Sequence, residues 1–405
     1  MVKFFKHALQ NPRINYMNIF SKNDIKYEGL SSPKILQELF DEAGVSINGP
    51  NPWDMRVHDP LTYSEILSKW SLGMGESYMD GRWDCEKLDE MLTKLLRCDI
   101  NMRVQGLAKA RFIFEVLRAR LVNLQSKDRA FQVGEKHYDT GNDVFELMLD
   151  PQMMYSCGYW EFANSLPQAQ EHKLDLICKK LQLQQGETLL EIGCGWGGLA
   201  AYAAKNYGVE VLGITVSKEQ QQLAALRCKG LPVRIELIDY RDLVGKFEKI
   251  VSVGMFEHVG EKNYPIYFQT IDKLLGDDGL FLLHSIGSDV TISRTDPWID
   301  RYIFPNGKIP SVMEIGKSIE DIFLVEDWQN FGQDYDKTLM SWHANFTKNW
   351  GQISSKYNDQ FYRMWTYYLL SCAAFFRSRQ GQLWQIILSK RTRASTYRSI
   401  RLSAP

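Results

Sequence analysis

At 405 residues the chain is long enough for two or more domains with a sizeable core, and 44% hydrophobic with 24% charged residues suits a folded globular protein. A formal net charge of -1 excludes a strong nucleic-acid-binding field. Seven cysteines, an odd number with no C-x-x-C pair, argue against a disulfide framework and a zinc site, and Met1 to His7 lack the apolar core of a signal peptide, so a cytoplasmic setting is expected.

Residues 1–30 are polar and weakly patterned, an N-terminal extension. Residues 31–102 read as a small, mainly helical domain, with helices over Lys34 to Ala43, Tyr63 to Lys69 and Glu86 to Leu96. Pro50, Pro52, Pro60, Gly73, Gly75 and Gly81 mark turns between them. Residues 103–129 form a basic linker helix. Leu107, Ile113, Leu117, Leu121 and Leu124 recur at helical spacing beside Arg103, Lys109, Arg111, Arg118, Arg120, Lys127 and Arg129. Packing as a linker is the simpler role for it, and contact with an anionic membrane surface is compatible with that.

Residues 130–405 alternate between strand and helix. Helices are predicted over Ala169 to Leu181, Leu199 to Asn206, Lys218 to Cys228 and Tyr264 to Leu275. Strands are predicted over Glu187 to Gly193, Val209 to Ile214, Val233 to Ile238, Ile250 to Val253 and Leu280 to His284, with late strands at Ile322 to Glu326 and Trp384 to Leu388. Short continuous apolar strands between helices imply a parallel sheet covered on both faces. The uncharged run from Met364 to Phe376 is too short to span a bilayer and reads as a buried helix.

The chemistry concentrates at strand ends. Leu189-Leu190-Glu191-Ile192-Gly193-Cys194-Gly195-Trp196-Gly197-Gly198 is a strand running into a glycine turn and then a helix, a geometry that brings backbone close to a nucleoside cofactor. The spacing satisfies G-x-G-x-x-G, yet the next strand ends Gly213-Ile214-Thr215-Val216-Ser217 without the ribose-binding carboxylate of an NAD site. Glu191 before the first glycine instead favours S-adenosylmethionine (SAM). Glu257 and His284, at the ends of adjacent late strands, face where the reactive end of the cofactor would lie. Taken singly, Glu257 reads slightly better as a helix N-terminal carboxylate and His284 as a hydrogen-bonded core histidine. Cys157, within Tyr155-Ser156-Cys157-Gly158-Tyr159-Trp160, reads as a small buried residue rather than a nucleophile. His137-Tyr138-Asp139-Thr140-Gly141-Asn142-Asp143 lacks metal-ligand spacing, so no metal is expected.

Taken together, Gly75-Glu76-Ser77-Tyr78-Met79-Asp80-Gly81, His137-Tyr138-Asp139, Tyr155-Ser156-Cys157, the Glu191 to Gly198 loop, Ser252-Val253-Gly254-Met255-Phe256-Glu257-His258-Val259-Gly260 and Tyr302-Ile303-Phe304-Pro305-Asn306-Gly307 resemble the cyclopropane-fatty-acyl-phospholipid synthase family. The likeness to the mycolic acid cyclopropane synthases is more distant. It runs in order from about Pro33 to Ser389 and implies an α/β fold: a class I SAM-methyltransferase Rossmann-like sheet with helices on both faces, plus the smaller helical N-terminal domain. The implied reaction is SAM-dependent methylene transfer to the cis double bond of an unsaturated phospholipid acyl chain, leaving S-adenosylhomocysteine. By resemblance, SAM is held by Tyr155, Ser156, Glu191, Gly193, Cys194, Gly195, Gly197, Thr215, Val216, Gln220, Tyr240 and Arg241. Bicarbonate, the implied general base, maps to Cys157, Glu257, His284, Ile286 and Tyr335, and Cys372 matches a position proposed as catalytic, although its apolar helix makes a packing role at least as strong.

The resemblance also implies a homodimer in peripheral contact with the inner face of the cell membrane, with residues 31–102 handling lipid. The 103–129 helix and the tail residues Lys390, Arg391, Arg393, Arg398 and Arg401 are candidate contact surfaces. Competing functions are a SAM-dependent small-molecule methyltransferase on the same fold, an NAD-dependent oxidoreductase and a non-catalytic lipid-binding protein.

Overall fold

The computed structural model describes residues 32–98, 141–292 and 294–402. The N-terminal extension, the 103–129 helix and the His137 to Thr140 motif therefore lie outside the described residues.

The first described part is built from helices α1 (Ser32–Asp41), α2 (Leu61–Lys69), α3 (Ser71–Met79) and α4 (Leu88–Arg97), with β1 (Arg56–Val57) paired antiparallel to β2 (Trp83–Asp84). Gly73 and Gly75, expected at turns, instead lie inside α3. Packing explains the difference. A Cβ on Gly73 would stand 2.1 Å from the Glu65 carbonyl oxygen, and one on Gly75 would stand 2.3 Å from the Trp298 ring, so these glycines let α3 lie close to its neighbours. Gly81, with φ +71°, does make the turn after α3.

Helices α5 (Asn142–Met148) and α6 (Leu166–Lys180) precede a seven-stranded sheet. Its strands are β3 (Thr188–Ile192), β4 (Glu210–Thr215), β5 (Val233–Leu237), β6 (Phe247–Val253), β7 (Leu275–Gly287), β8 (Phe323–Asn330) and β9 (Gln382–Lys390). Their order is β5-β4-β3-β6-β7-β9-β8. From β3 the chain first builds outward through β4 and β5, then returns to the other side of β3 with β6. That reversal is the switch point beside which ligands bind in open α/β sheets.

Helices α7 (Gly198–Tyr207) and α8 (Lys218–Arg227) follow β3 and β4. Helices α9 (Tyr264–Leu274), α10 (Pro297–Tyr302) and α11 (Val312–Ile319) flank β7, and α12 (Gln333–Asn349) and α13 (Asp359–Arg377) lie between β8 and β9. In β3, Leu189 packs into one face's core while Leu190 and Ile192 pack into the other, as a strand buried on both sides requires.

The expected all-parallel sheet needs one correction: β9 runs antiparallel to both β7 and β8. Helices α12 and α13 pack on each other and return the chain to the end where β8 left the sheet, and the Phe331 N–H bonds the Leu383 carbonyl there. The strand must then enter in the reverse direction. The 364–376 run does form the buried centre of α13. Side chains of α1 to α4 share one continuous apolar core with α5, α10, α12 and α13. Arg363 of α13 helps fix this seam, donating to the Trp83 carbonyl at 2.8 Å and to Asp84 at 2.7 Å. Among the described residues, no helix is long and apolar enough to cross a membrane.

Candidate active site

A cavity opens at the carboxyl ends of β3, β4 and β6, at the switch point. Of the residues expected around the cofactor, Tyr155, Ser156, Glu191, Gly193, Cys194, Gly195, Thr215, Val216, Gln220, Tyr240 and Arg241 all line it. Gly197 does not. It is the residue before α7, with φ +80°, and a Cβ there would meet Cys228 Sγ at 2.9 Å, so it turns the chain into the helix. Gly195 has φ +53° and its missing side chain faces open space, which leaves room for a ligand beside the loop.

Each wall is held by its own hydrogen bonds. Thr215 Oγ1 donates to Gln220 Oε1 at 2.9 Å, and Ser217 caps α8 by accepting the Gln220 N–H. Asp239 accepts both Arg241 Nε and Nη2 at 2.7 Å, a planar fork that fixes the third wall. Glu191 is 2% exposed and its Oε2 has no protein partner. Burial pushes its pKa up, opposed by Lys173 and by the Ala200 N–H in the first turn of α7. A carboxylate oxygen left unpaired at a helix N-terminus, beside left-handed glycines, fits a nucleoside cofactor with hydroxyl and amino donors.

The expected catalytic residues do not line this cavity; they gather next to it. Glu257 follows β6 in a single 3-10 turn and accepts the Ile286 N–H at 2.7 Å through Oε1. His284 and Ile286 lie on the same side of β7, whose pairing with β6 sets Val253 opposite His284. Cys157, Ile286 and Tyr335 pack in one apolar cluster with Phe331, and the Phe331 ring lies 5.8 Å from that of His284. Tyr335 stacks on Phe376 of α13 at 4.5 Å.

Two buried polar atoms in this cluster lack a protein partner, Glu257 Oε2 and His284 Nε2. Burial raises Glu257 to about 7, with the Ile286 N–H, its own N–H and the Ser285 hydroxyl opposing the shift. Burial also drives the His284 pKa well down, reinforced by the charges of Lys173 and Lys180, so the ring is neutral. Gln385 Nε2 lies 3.3 Å from His284 Nδ1, and in the tautomer in which Nδ1 accepts this amide N–H the ring proton sits on Nε2. The cluster then offers one buried acceptor and one buried donor.

Cys157 and Cys372 are both pushed up by burial, Cys372 to about 12, so both thiols stay protonated at neutral pH. Cys372 lies on α13 close enough to Tyr335 and Tyr368 to perturb both. Three of the basic tail residues are engaged elsewhere: Lys390 with Asp277, Arg393 with Asp278 and Arg401 with Asp327.

Several lining residues were not singled out from sequence. His258, beside Glu257, borders the cavity with its Nδ1 unpartnered, and Met255, Pro305 and Asn306 complete that wall. Their signal was adjacency within motifs already quoted. Lys173 and Gln385 carried a weaker one, a polar residue in phase with apolar neighbours on α6 and β9.

A family model for mycolic acid cyclopropane synthetase matches residues 125–386. The chain is 53% identical over 357 residues to the cyclopropane-fatty-acyl-phospholipid synthase of Escherichia coli strain K12, covering 88% of this chain and 93% of that protein. Among solved structures, the cyclopropane synthase MmaA2 from Mycobacterium tuberculosis superposes with a TM-score of 0.61 at 30% identity, over 64% of this chain and 98% of that one. The mycolic acid cyclopropane synthase CmaA1 complexed with SAH and CTAB gives 0.61 at 33% identity, with the same coverage.

Proposed function

The chain belongs to the mycolic acid cyclopropane synthetase family and is a SAM-dependent methyltransferase similar to cyclopropane-fatty-acyl-phospholipid synthase; from this premise we propose that it converts the cis double bond of unsaturated phospholipid acyl chains into a cyclopropane ring. The observation that carries the reading is the buried pair of unpartnered atoms, Glu257 Oε2 and His284 Nε2, beside the cavity. Methyl transfer alone needs a cofactor pocket and an aligned acceptor. Ring closure also needs a group that takes a proton.

When bound, SAM supplies an electrophilic methyl group. An alkene is a weak nucleophile, so the site must align it by positioning. Tyr155 and the Gly193 to Gly195 loop would hold the cofactor, Thr215, Val216 and Gln220 its ribose side, and Tyr240 and Arg241 the outer wall. Methyl addition would leave one former alkene carbon electron-poor; a base must then take a proton from the added methyl, so that the freed C–H electron pair closes the ring onto that carbon before water reaches it. Tyr335 and Tyr155 can present ring faces to that positive charge. The base fits bicarbonate: an ion with one hydroxyl and two oxyanion oxygens matches an acceptor at Glu257 Oε2 and donors at His284 Nε2 and the Tyr335 hydroxyl. The Ile286 N–H fixes Glu257, and the protonated thiols of Cys157 and Cys372 serve as packing.

A phospholipid substrate requires contact with a bilayer surface, and we extend the reading to peripheral binding at the inner face of the membrane by a homodimer. In this division residues 31–102 handle lipid and residues 130–405 carry the chemistry. The test is incubation of purified protein with SAM and vesicles of cis-unsaturated phospholipid. Mass spectrometry should find one added methylene and NMR the loss of olefinic protons. A methyl gained with the double bond retained would contradict ring closure.

A further inference from the structure

Lys173 lies on the inward face of α6 with none of its surface exposed, and its Nζ donates to Ser156 Oγ at 2.8 Å. Two neighbours anchor the same segment. Gln170, nearly one turn earlier, donates from Nε2 to the Ser156 carbonyl at 2.8 Å. The Asp150 carboxylate accepts the N–H groups of Gln152 and Met154, each at 2.9 Å. A buried ammonium is costly, and a single hydroxyl does not compensate it. Burial lowers the Lys173 pKa to about 8, a shift that the nearby acids Asp150 and Glu191 oppose.

An apolar residue at this helical position would fill the space without that cost. What the lysine adds is control of residues 155–157. Tyr155 and Ser156 line the cofactor cavity while Cys157, the next residue, belongs to the Tyr335 and Ile286 cluster. One short segment thus forms part of both walls, and Glu191 lines the same cavity.

We propose that Lys173 is a positioning residue: its ammonium holds the Tyr155 to Cys157 segment through Ser156, setting SAM affinity and the alignment of the proton-accepting cluster together. The inference rests on the reading that this cavity holds SAM.

The test compares wild type with Lys173→Met and Lys173→Gln by calorimetric titration of SAM, by KM and kcat on unsaturated phospholipid vesicles, and by circular dichroism. The folded methionine variant is expected to lose at least tenfold in SAM affinity and tenfold in kcat at saturating SAM. The glutamine, which keeps a donor without charge, replaces it if the methionine variant does not fold. Lys173→Ala should regain SAM binding with added ethylammonium but not with tetramethylammonium, which has no N–H; a purely structural lysine would not show that discrimination. Wild-type SAM affinity and kcat in a folded variant would overturn the proposal. If wild type itself does not bind SAM, the functional reading falls instead.

Discussion

Replacing Glu257 with glutamine should strengthen the fold while it cripples the reaction. Burial raises this carboxyl from an ordinary 4.5 to about 7. Because the folded pKa lies above the unfolded one, folding favours the protonated acid. Below pH 4.5 both states are protonated and no penalty exists; the penalty grows between 4.5 and 7 and is complete above 7. Two and a half pKa units at about 1.36 kcal/mol each give about 3 kcal/mol at pH 8, and under about 1 kcal/mol at pH 5. Glutamine keeps an oxygen for the Ile286 N–H and removes the charge. Urea unfolding of both proteins should therefore show Glu257→Gln more stable by about 2–3 kcal/mol at pH 8 and nearly equal at pH 5, with turnover down by about 10²-fold or more and SAM affinity retained. Equal destabilisation at both pH values would refute the buried, unpaired carboxylate, and wild-type turnover would refute its role in proton removal.

His284→Ala should leave SAM affinity within about threefold and lower kcat by about 10²-fold, since the ring borders the proton-accepting cluster and not the cofactor cavity; a calorimetric loss of SAM binding with normal kcat would contradict this. Gly195→Val places a branched side chain into the open space beside the loop at φ +53° and should abolish measurable SAM binding while the fold persists. Gly75→Ala drives a methyl into the Trp298 ring and should cost about 1–3 kcal/mol, seen as a lower melting temperature. His258, held by burial at about 4, is neutral when folded and charges when unfolded, so its contribution is complete above pH 6.5 and is lost as pH falls towards 4. Its ring borders the cavity, so about 3 kcal/mol is a ceiling, and His258→Asn should flatten the acid side of the urea-stability profile.

The central strands were legible because each is a short apolar run buried on both faces, and the glycine loop because only glycine accepts its left-handed turns. What escaped sequence reading depends on distant partners. Gly73 and Gly75 carry a turn's composition, and only the Glu65 backbone in the neighbouring helix and the Trp298 ring, far along the chain, make them helix-packing residues. The direction of β9 is set by α12 and α13 returning the chain to one end of the sheet, which no local pattern encodes. Ile286 brings no side-chain chemistry; it acts on Glu257 through its N–H, so resemblance alone could name it. Lys173 looks like an ordinary charged residue on a helix until Ser156, seventeen positions earlier, is found within hydrogen-bond reach.

The central claim is that a proton leaves the transferred methyl inside this site. It is tested most directly with SAM carrying a fully deuterated methyl and vesicles of cis-unsaturated phospholipid, followed by mass spectrometry of the acyl chains. The account predicts a ring carbon that keeps two of the three deuterium atoms, with no double bond left. An acyl chain that keeps all three would mean that the methyl arrives intact and that Glu257 and His284 serve no proton-removing function.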